Sequence, residues 1–201
     1  DLLQGFSRHP DEGVMLSAQR QPHALPGVRA RWKFIRQTLD KTRFFKIVPM
    51  IGSLGCPYHC SFCIDSQIEY QTLPYDEIRE DLVFLQTQFK QAAVGWHDPN
   101  FGVRFDDYMG IIEEAVKPGA IRFIAESSLS LLSEPHLKRL QKNNFVGMLP
   151  GIESWFDCND KSKMRKTFGL DKVKAVAEHV NLISHYIPYV QTNFVLGLDA
   201  D

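Results

Sequence analysis

The sequence predicts an α/β fold with a mostly parallel sheet. From residue 45 onward, short strand-like runs alternate with amphipathic stretches of helical period, and polar residues directly follow each strand-like run. A helix between two strands acts as a crossover, so the strands it connects run parallel and their carboxyl ends meet at one edge. We therefore expect a ligand site at that edge, in either a doubly wound sheet or a (β/α) barrel.

Five runs along the chain are strand-like. The predicted strands are residues 46–53, 92–98, 120–127, 145–153 and 189–197. Polar groups follow them as "HDPN" after the second strand, "ESS" after the third, "GIES" after the fourth and "GLD" after the fifth. All of this chemistry is expected at one rim of the sheet.

Amphipathic stretches lie between the predicted strands. The clearest, residues 75–90, places Ile78, Leu82, Leu85 and Phe89 on one face and carries acidic residues in its first turn, where the helix dipole favours them. Three further helices are predicted over residues 105–117, 133–144 and 170–186. In the second of these, Ser133 stands at the N-cap position and a proline follows in the first turn.

Residues 1–45 mix prolines and glycines with polar residues, and only residues 30–42 have a helical pattern. We interpret residues 1–45 as a linker and residues 46–201 as the core domain. The chain begins without methionine and stops after the fifth predicted strand. It is therefore expected to be an excerpt of a longer protein.

Composition narrows the class of protein. A chain of 201 residues with 44% hydrophobic content can bury one sizeable core. Its formal charge of -1 gives no broad field for nucleic acid or for an anionic membrane. No apolar run reaches the roughly 18 residues of a membrane span, and the N-terminus has no signal-peptide order. We expect a cytoplasmic location, where thiols stay reduced and clustered cysteines indicate metal or redox chemistry.

Three of the four cysteines lie within eight positions of "GCPYHCSFCID" (55–65), with the spacing C-x3-C-x2-C. Iron-sulfur clusters usually take four cysteine thiolates, so three leave one iron open to a substrate or cofactor. Catalytic metal sites keep such an open position, which structural sites close. Pro57 is expected to constrain the turn, and Gly55 to let the backbone approach the cluster.

A structural zinc site is the alternative, with His59 or Cys158 as the fourth ligand. His59 and Cys60 are adjacent, so both would reach one metal only with strain. Zinc sites usually come as paired knuckles, and the sequence has no second C-x2-C pair.

The segment "GCPYHCSFC" after the first strand resembles the signature of radical S-adenosylmethionine enzymes, including an aromatic residue, Phe62, before the last cysteine. The resemblance implies that Cys56, Cys60 and Cys63 hold a 4Fe-4S cluster whose open iron binds S-adenosylmethionine. One electron would then cleave this cofactor to methionine and a 5'-deoxyadenosyl radical, with the electron coming from a donor such as flavodoxin or ferredoxin. It also implies a partial (β/α)6 barrel, with five β/α units visible and the sixth missing.

A second stretch narrows the resemblance. The Gly-Gly-Glu run that ends strand two in much of the family is absent, and "VGWHDPNFGVRFDDYMGIIEEA" (94–115) stands in its place. It resembles the acidic-Asn-Phe pattern of the branch that carries an N-terminal cobalamin-binding domain. "PGIES" (150–154) and "VQTNFVLGLD" (190–199) are similar to that branch as well. Cobalamin would then bind in a domain outside this chain, and the radical would abstract hydrogen or assist a methyl transfer on an unknown substrate.

The resemblance also assigns cofactor contacts. It places Asp98 and Asn100 at the methionine amino end, and Glu126, Glu153 and Ser154 at hydroxyl or carboxylate groups. Phe62 and the backbone near Val195 and Gly197 would face the adenine. Carboxylates that end buried strands need a partner or a polar cavity, which independently favours the two glutamates.

Each assignment has a structural alternative. Asp98 could form a strand-end turn beside a proline, and Glu153 with Ser154 could cap a helix. His97, Trp96 and Phe101 could line a substrate pocket or belong to the core.

Rival functions stay open beside the radical enzyme. The first is a methylthiotransferase, although the Arg-Gly expected after the cluster motif is absent. The second is a zinc-binding module without turnover, and the third is a chain that binds S-adenosylmethionine without cleaving it.

Overall fold

The structure of the chain, a computed structural model, describes residues 6–9, 13–16, 27–41, 46–89, 92–155 and 169–197. The strands within these ranges are β1 (Phe6–His9), β2 (Gly13–Leu16), β3 (Ile47–Met50), β4 (Ser53–Leu54), β5 (Gln71–Thr72), β6 (Ala92–Trp96), β7 (Ile121–Ser128), β8 (Phe145–Glu153), β9 (Tyr189–Val190) and β10 (Asn193–Phe194). The α-helices there are α1 (Val28–Lys41), α2 (Tyr75–Gln88), α3 (Phe105–Ala115), α4 (Glu134–Lys142) and α5 (Gly169–Tyr186).

The main sheet is parallel and its strands follow the order of the chain. β3, β6, β7, β8 and β10 lie side by side in that order, and β9 also pairs with β8. A doubly wound sheet reverses its strand order at a switch point, whereas a barrel adds each new strand on the same side. The observed order is that of a barrel, so the predicted partial β/α barrel is confirmed and the doubly wound alternative is not.

The side of the sheet that faces the helices is aromatic and buried. The Trp96 ring lies 5.2 Å from that of Phe101 and 4.9 Å from that of Tyr108 on α3. The rings of Phe123 and Phe145, on neighbouring strands, stack at 4.9 Å. All five side chains are buried, and each contributes about 2 kcal/mol or more of hydrophobic stabilisation. This layer resolves the open assignment of Trp96 and Phe101, which are core residues.

The opposite side of the sheet carries the alternate side chains of each strand, which include Ile47 and Ile124 as well as polar residues at the carboxyl ends. Trp96 and Ala125 are partners in the register of β6 and β7 and both are buried. The next residues, His97 and Glu126, therefore point away from the helices. We call this side the inner face; it is the concave side of a barrel.

Helix α1 packs onto the rest of the fold although it lies within the predicted linker. The helix predicted over residues 30–42 is confirmed as Val28–Lys41. Ile35 and Leu39 are buried in the core, and the Trp32 ring meets Phe84 of α2 edge-on at 5.2 Å. The extent of the linker stays a prediction.

Two predicted strands are shorter than expected. The first ends at Met50, because the chain leaves the sheet at Gly52 and begins the separate strand β4. The fifth, predicted over 189–197, consists of the two short strands β9 and β10. Its pairing with β8 shifts register where β8 leaves the extended conformation, at Glu153 with φ of +70°.

The helices match their patterns with two differences. Ser133 occupies the N-cap position of α4, but its hydroxyl makes no capping hydrogen bond. On α5, Val176 and Ile183 are buried, whereas Val173, which lies three residues before Val176, is exposed. The face predicted for α2 is confirmed, since Ile78, Leu82 and Leu85 are buried.

None of the helices in the described part of the chain combines the length and the apolar character that a membrane crossing requires.

Candidate functional site

The three cysteines lie in a closed loop at the carboxyl edge of the sheet. β4 and β5 pair antiparallel, with Ser53 opposite Thr72 and Leu54 opposite Gln71. Residues 55–70 between them form what we call the cysteine loop. The loop follows β3, the first strand of the barrel, so the predicted position of the cysteines is confirmed.

Gly55 lets the loop close on itself. Its φ is +67°, and a Cβ at this position would lie 2.4 Å from the carbonyl oxygen of Ile68 and 2.8 Å from that of Glu69. A side chain would therefore meet both left-handed strain and fixed backbone atoms. The close approach that the sequence assigned to a cluster is made here to the loop's own backbone, while an approach to a cluster stays a prediction.

Backbone hydrogen bonds fold the loop around its cysteines. The amide of Cys56 donates to the carbonyl of Asp65 at 3.0 Å, and the amide of Cys63 donates to that of Cys60 at 3.1 Å. The Ser66 hydroxyl donates to the carbonyls of Cys60 and Cys63 at 3.0 and 2.6 Å. Two main-chain hydrogen bonds and the Ser66 hydroxyl thus hold the backbone around the three cysteines.

The donor chemistry of this loop fits an iron-sulfur cluster. None of the three cysteines is in a disulfide, and each is partly exposed. Thiolates on one loop are the ligands that such clusters take. Within the described ranges, no group of three or more His, Cys, Asp or Glu side chains converges closely enough to hold a metal ion. The loop therefore supplies the type of ligand that such a cluster takes. Cys158, the alternative fourth ligand, lies outside the described residues.

Asp98 lies behind the cysteine loop and is fully buried, with 0% exposure. Its carboxylate accepts hydrogen bonds from the amides of Gly52 and Ser53, at 2.5 and 3.0 Å, and from the Ser53 hydroxyl at 2.7 Å. Burial raises the pKa of Asp98 above its ordinary value, and these hydrogen bonds oppose the rise. The contact predicted with a methionine amino group is not tested, but both oxygens already have partners within the protein.

Asn100 is likewise committed to contacts inside the protein. Its side-chain oxygen accepts hydrogen bonds from the amides of Gly102 and Ser128 and from the Ser127 hydroxyl, each at 3.2 Å. Its side-chain amide donates to the Ser128 hydroxyl at 3.1 Å. These bonds cap the short 3-10 helix Phe101–Arg104 and join it to the end of β7. Such a role is the turn and cap chemistry expected of asparagine.

Glu126 faces the inner side of the sheet beside His97. The side chain of His97 is 52% exposed and that of Glu126 is 43% exposed. Nδ1 of the histidine lies 3.3 Å from Oε1 of the glutamate. The hydrogen bond to Glu126 raises the pKa of His97 above its ordinary value, against the effect of burial. The ring lies over Gly95, where a Cβ would be 2.9 Å from Nε2. His97 is therefore a residue of the site rather than of the core.

Glu153 stands at the end of β8 in a left-handed conformation. Such a φ, +70°, is uncommon for a residue with a side chain. A Cβ on Gly151 would lie 2.2 Å from Oε1 of Glu153, so the glutamate folds back along its own strand. Its carbonyl accepts a hydrogen bond from the amide of Val195 at 2.8 Å. Glu153, Gly151 and Val195 thus meet at the same rim as the other strand ends.

The remaining predicted contacts also lie at this rim or in the loop. Ser154 is buried and its carbonyl accepts a hydrogen bond from Lys172. It does not begin α5, which starts at Gly169. Phe62 is partly buried within the cysteine loop, and Gly197, with φ of +83°, is exposed. The roles of these residues as cofactor contacts stay predictions.

Two features of the site were missed from the sequence. The partners of Asp98 are 45 and 46 positions earlier in the chain, and no local pattern indicates them. The rings of Trp155 and Phe194, at the ends of neighbouring strands, lie 4.9 Å apart. An aromatic residue at each of two strand ends was the available signal for this second pair.

The chain shares sequence with a methyltransferase. It is 28% identical over 167 residues to bacteriochlorophyllide d C-12(1)-methyltransferase of Chlorobaculum tepidum, covering 79% of this chain and 35% of that protein. No protein-family model matches the sequence. The chain thus spans about a third of the length of this relative.

Solved structures share the fold. The radical S-adenosylmethionine methyltransferase TsrM of Kitasatospora setae, determined with cobalamin and a [4Fe-4S] cluster bound, aligns with a TM-score of 0.59 at 14% identity, over 75% of this chain and 31% of that one. The cobalamin-dependent S-adenosylmethionine radical enzyme OxsB, with aqua-cobalamin bound, aligns with a TM-score of 0.51 at 16% identity, over 74% and 23%.

These likenesses bear on the resemblance that the cysteine motif suggested. Both structures are of radical S-adenosylmethionine enzymes, and both were determined with cobalamin. The strand order and the position of the cysteine loop are those of such a barrel. The chain therefore shares the partial-barrel fold of these two structures, which is the fold that the resemblance of its cysteine motif implied.

Proposed function

We propose that this chain is part of the core of a radical S-adenosylmethionine methyltransferase of the cobalamin-dependent branch. The observation that carries the proposal is the loop with C-x3-C-x2-C spacing at the carboxyl edge of the first strand, in a barrel-type sheet. The relative from Chlorobaculum tepidum, itself a methyltransferase, supports methyl transfer as the reaction class.

In this proposal Cys56, Cys60 and Cys63 bind a 4Fe-4S cluster as thiolates, and the loop supplies no fourth ligand. When bound, the cluster supplies the electron that cleaves S-adenosylmethionine. The closed base of the loop, formed by β4 and β5, holds the three ligands at the rim. The main chain around them is fixed by the Ser66 hydroxyl.

The inner face would bind the rest of the cofactor. Glu126 and Glu153 are the proposed contacts for its hydroxyl or carboxylate groups, by the resemblance and because both side chains lie at strand ends on this rim. Phe62 and the backbone of Val195 and Gly197 are proposed to face the adenine. Asn100 would act through the backbone that its side chain holds in place, and Ser154 is a further proposed contact for hydroxyl or carboxylate groups.

The partners are proposed from the same family. Cobalamin would be held by a part of the protein outside this chain, and a flavodoxin or ferredoxin would donate the electron. Reduced, clustered thiols favour the cytoplasm. The methyl acceptor is not identified, although the relative acts on bacteriochlorophyllide d.

The proposal is tested by anaerobic reconstitution with iron and sulfide, followed by reduction and addition of S-adenosylmethionine. We expect about four irons per chain, in proportion to labile sulfide, and formation of 5'-deoxyadenosine. Cys60→Ala should abolish both, whereas Cys158→Ala, a cysteine outside the motif, should leave both unchanged. Zinc in place of iron, lost on Cys158→Ala as well, would establish the zinc-binding module instead. Iron without cleavage would indicate a chain that binds the cofactor and does not turn it over.

A further inference from the structure

We propose that Asp98 is a positioning residue, which fixes the start of the cysteine loop rather than contacting the cofactor. The inference rests on the proposed function for the identity of the bound metal. The ordering of the loop by Asp98 does not depend on that identity.

The geometry gives each carboxylate oxygen of Asp98 a partner within the protein. One carboxylate oxygen accepts from the amides of Gly52 and Ser53, and the other accepts from the Ser53 hydroxyl. Asp98 is fully buried. Because the carboxylate is fully buried, an amino group of a ligand could reach it only by displacing the main chain packed around it.

These bonds act where the chain leaves the sheet. The amide of His97 donates to the carbonyl of Met50 at 2.8 Å, which is the last contact of β3 with its neighbour. The amide of Leu73 donates to the carbonyl of Gly52 at 2.8 Å. Gly52 is therefore held by Asp98 through its N–H and by the far side of the loop through its C=O. Cys56 follows four residues later.

The space around Gly52 leaves no room for another group on its aromatic side. A Cβ at Gly52 would lie 2.9 Å from Cζ2 of Trp96 and 3.0 Å from Cζ of Tyr108, and both rings are fully buried. Gly52 is thus held between a carboxylate and an aromatic wall. Small displacements of Asp98 would be transmitted to β4 and from there to the first cysteine, because this packing cannot yield.

Hydrogen exchange on the metal-free chain tests the positioning role directly. Asp98→Ala removes the acceptor of three donors, so amides 52–56 are expected to exchange about tenfold faster or more, with α4 unchanged. Asp98→Asn keeps one acceptor oxygen for the two amides and should stay within about threefold of the parent. Asp40→Asn, an exposed carboxylate on α1, is the matched control and should change nothing.

If Asp98→Ala does not fold, Ser53→Ala replaces it, since this variant removes only the hydroxyl donor. An increase of about threefold confined to residues 52–56 is then expected. Exchange equal to the parent in a folded Asp98→Ala or Ser53→Ala protein would overturn the proposal.

Iron loading separates positioning from cofactor contact. After anaerobic reconstitution, Asp98→Ala should hold less than about half of the parent's iron, with a weaker visible absorbance, and Asp98→Asn should restore both. Asp98→Asn should also bind S-adenosylmethionine within about threefold of the parent affinity. If it keeps its cluster but loses about tenfold or more in that affinity, Asp98 contacts the cofactor and the proposal is wrong. If the parent takes up no iron, the proposed function fails, while the exchange experiment still decides the role of Asp98.

Discussion

Two buried aspartates each hold a junction of the chain, and they are compensated differently. Asp81 on α2 accepts the amides of Val28 and Arg29 at the start of α1, and it also pairs with the Arg29 guanidinium, whose Nε lies 3.1 Å from Oδ1. Asp98 accepts its three described hydrogen bonds from neutral donors of Gly52 and Ser53. The first carboxylate is hydrogen-bonded to a cation, whereas the described hydrogen-bond donors to the second are neutral.

The difference indicates what each junction does. A carboxylate at a helix N-terminus, paired with a cation, is a common way to stabilise a fold. A buried carboxylate held only by neutral groups carries a desolvation cost, which is why the pKa of Asp98 is raised. We therefore assign Asp81 to the stability of the α1–α2 contact and Asp98 to the placement of the cysteine loop.

A glycine allows the close approach at each junction. A Cβ on Gly27 would lie 2.5 Å from Oδ2 of Asp81, and one on Gly52 would lie 2.9 Å from Cζ2 of Trp96. The first neighbour is a side-chain end near the surface helix, and the second is an indole ring fixed in the core. The side chain beside Gly27 can therefore move to make room for a Cβ, whereas the ring beside Gly52 cannot.

The largest effect is expected for Gly52→Ala. Overpacking against buried rings should lower the free energy of unfolding by about 3 kcal/mol, measured by chemical denaturation. The control is Gly110→Ala on α3, where a Cβ meets nothing within 4 Å; this change should stabilise by up to about 1 kcal/mol. Equal changes in the free energy of unfolding would show that the Trp96 and Tyr108 rings can move aside for the added methyl group.

Asp81→Ala is expected to cost about 2 kcal/mol, because two amides at the start of α1 lose their acceptor in a buried position. Arg29 is partly exposed, so its charge can turn to water and adds little to this cost. Iron uptake after reconstitution should equal that of the parent. A loss of iron without a loss of stability would reverse the roles assigned to the two aspartates.

Asp98 predicts a pH dependence of stability with a definite sign. Its pKa in the folded protein is raised above the ordinary value of 3.8. The folded protein therefore favours the protonated form of Asp98. The stability that this group contributes is present below pH 3.8 and is lost as the pH rises through the raised pKa. As the pH rises across this window, the free energy of unfolding of the parent should therefore fall relative to that of Asp98→Asn. A difference that is flat with pH would mean that burial does not govern this carboxyl.

The smallest effect is expected for the exposed pair at the rim. Glu126→Gln should lower the pKa of His97 toward its ordinary value of 6.5, followed by NMR titration of the imidazole. The contact stabilises protonated His97, so its contribution is present below pH 6.5 and lost as the pH rises through the raised pKa. The stability change should stay under about 0.5 kcal/mol, since both side chains are half exposed. An unchanged histidine pKa would show that the two groups do not interact in solution.

Much of the barrel could be predicted because its pattern is local. The helix over residues 75–90 was found from the spacing of Ile78, Leu82 and Leu85, and the strands over 120–127 and 145–153 were found almost to the residue. Periodicity of this kind depends only on which face a side chain takes. The break at Gly52 and the division of the fifth strand were not predicted, because pairing with a neighbouring strand decides them.

The candidate site divides in the same way. The prediction that Cys56, Cys60 and Cys63 form one ligand set depends on a local motif and its family resemblance, and the structure places all three on a single short loop. Partners that lie 27 to 46 residues away determine which groups the side chains of Asp98 and Asn100 contact. The carboxylate and the amide could have faced a ligand or the main chain, and local sequence is the same in both cases.

By itself, the sequence determined the alternation of strands and helices and the buried side of α2, and it predicted the chemistry of the cysteine loop. Only the tertiary structure decided that the strands wind in barrel order, that Asp98 faces Gly52 and Ser53, and that His97 meets Glu126 on the inner face. The physical reason is range. Periodicity and ligand spacing act within a few residues, whereas a buried carboxylate takes whichever donors the packed chain brings to it.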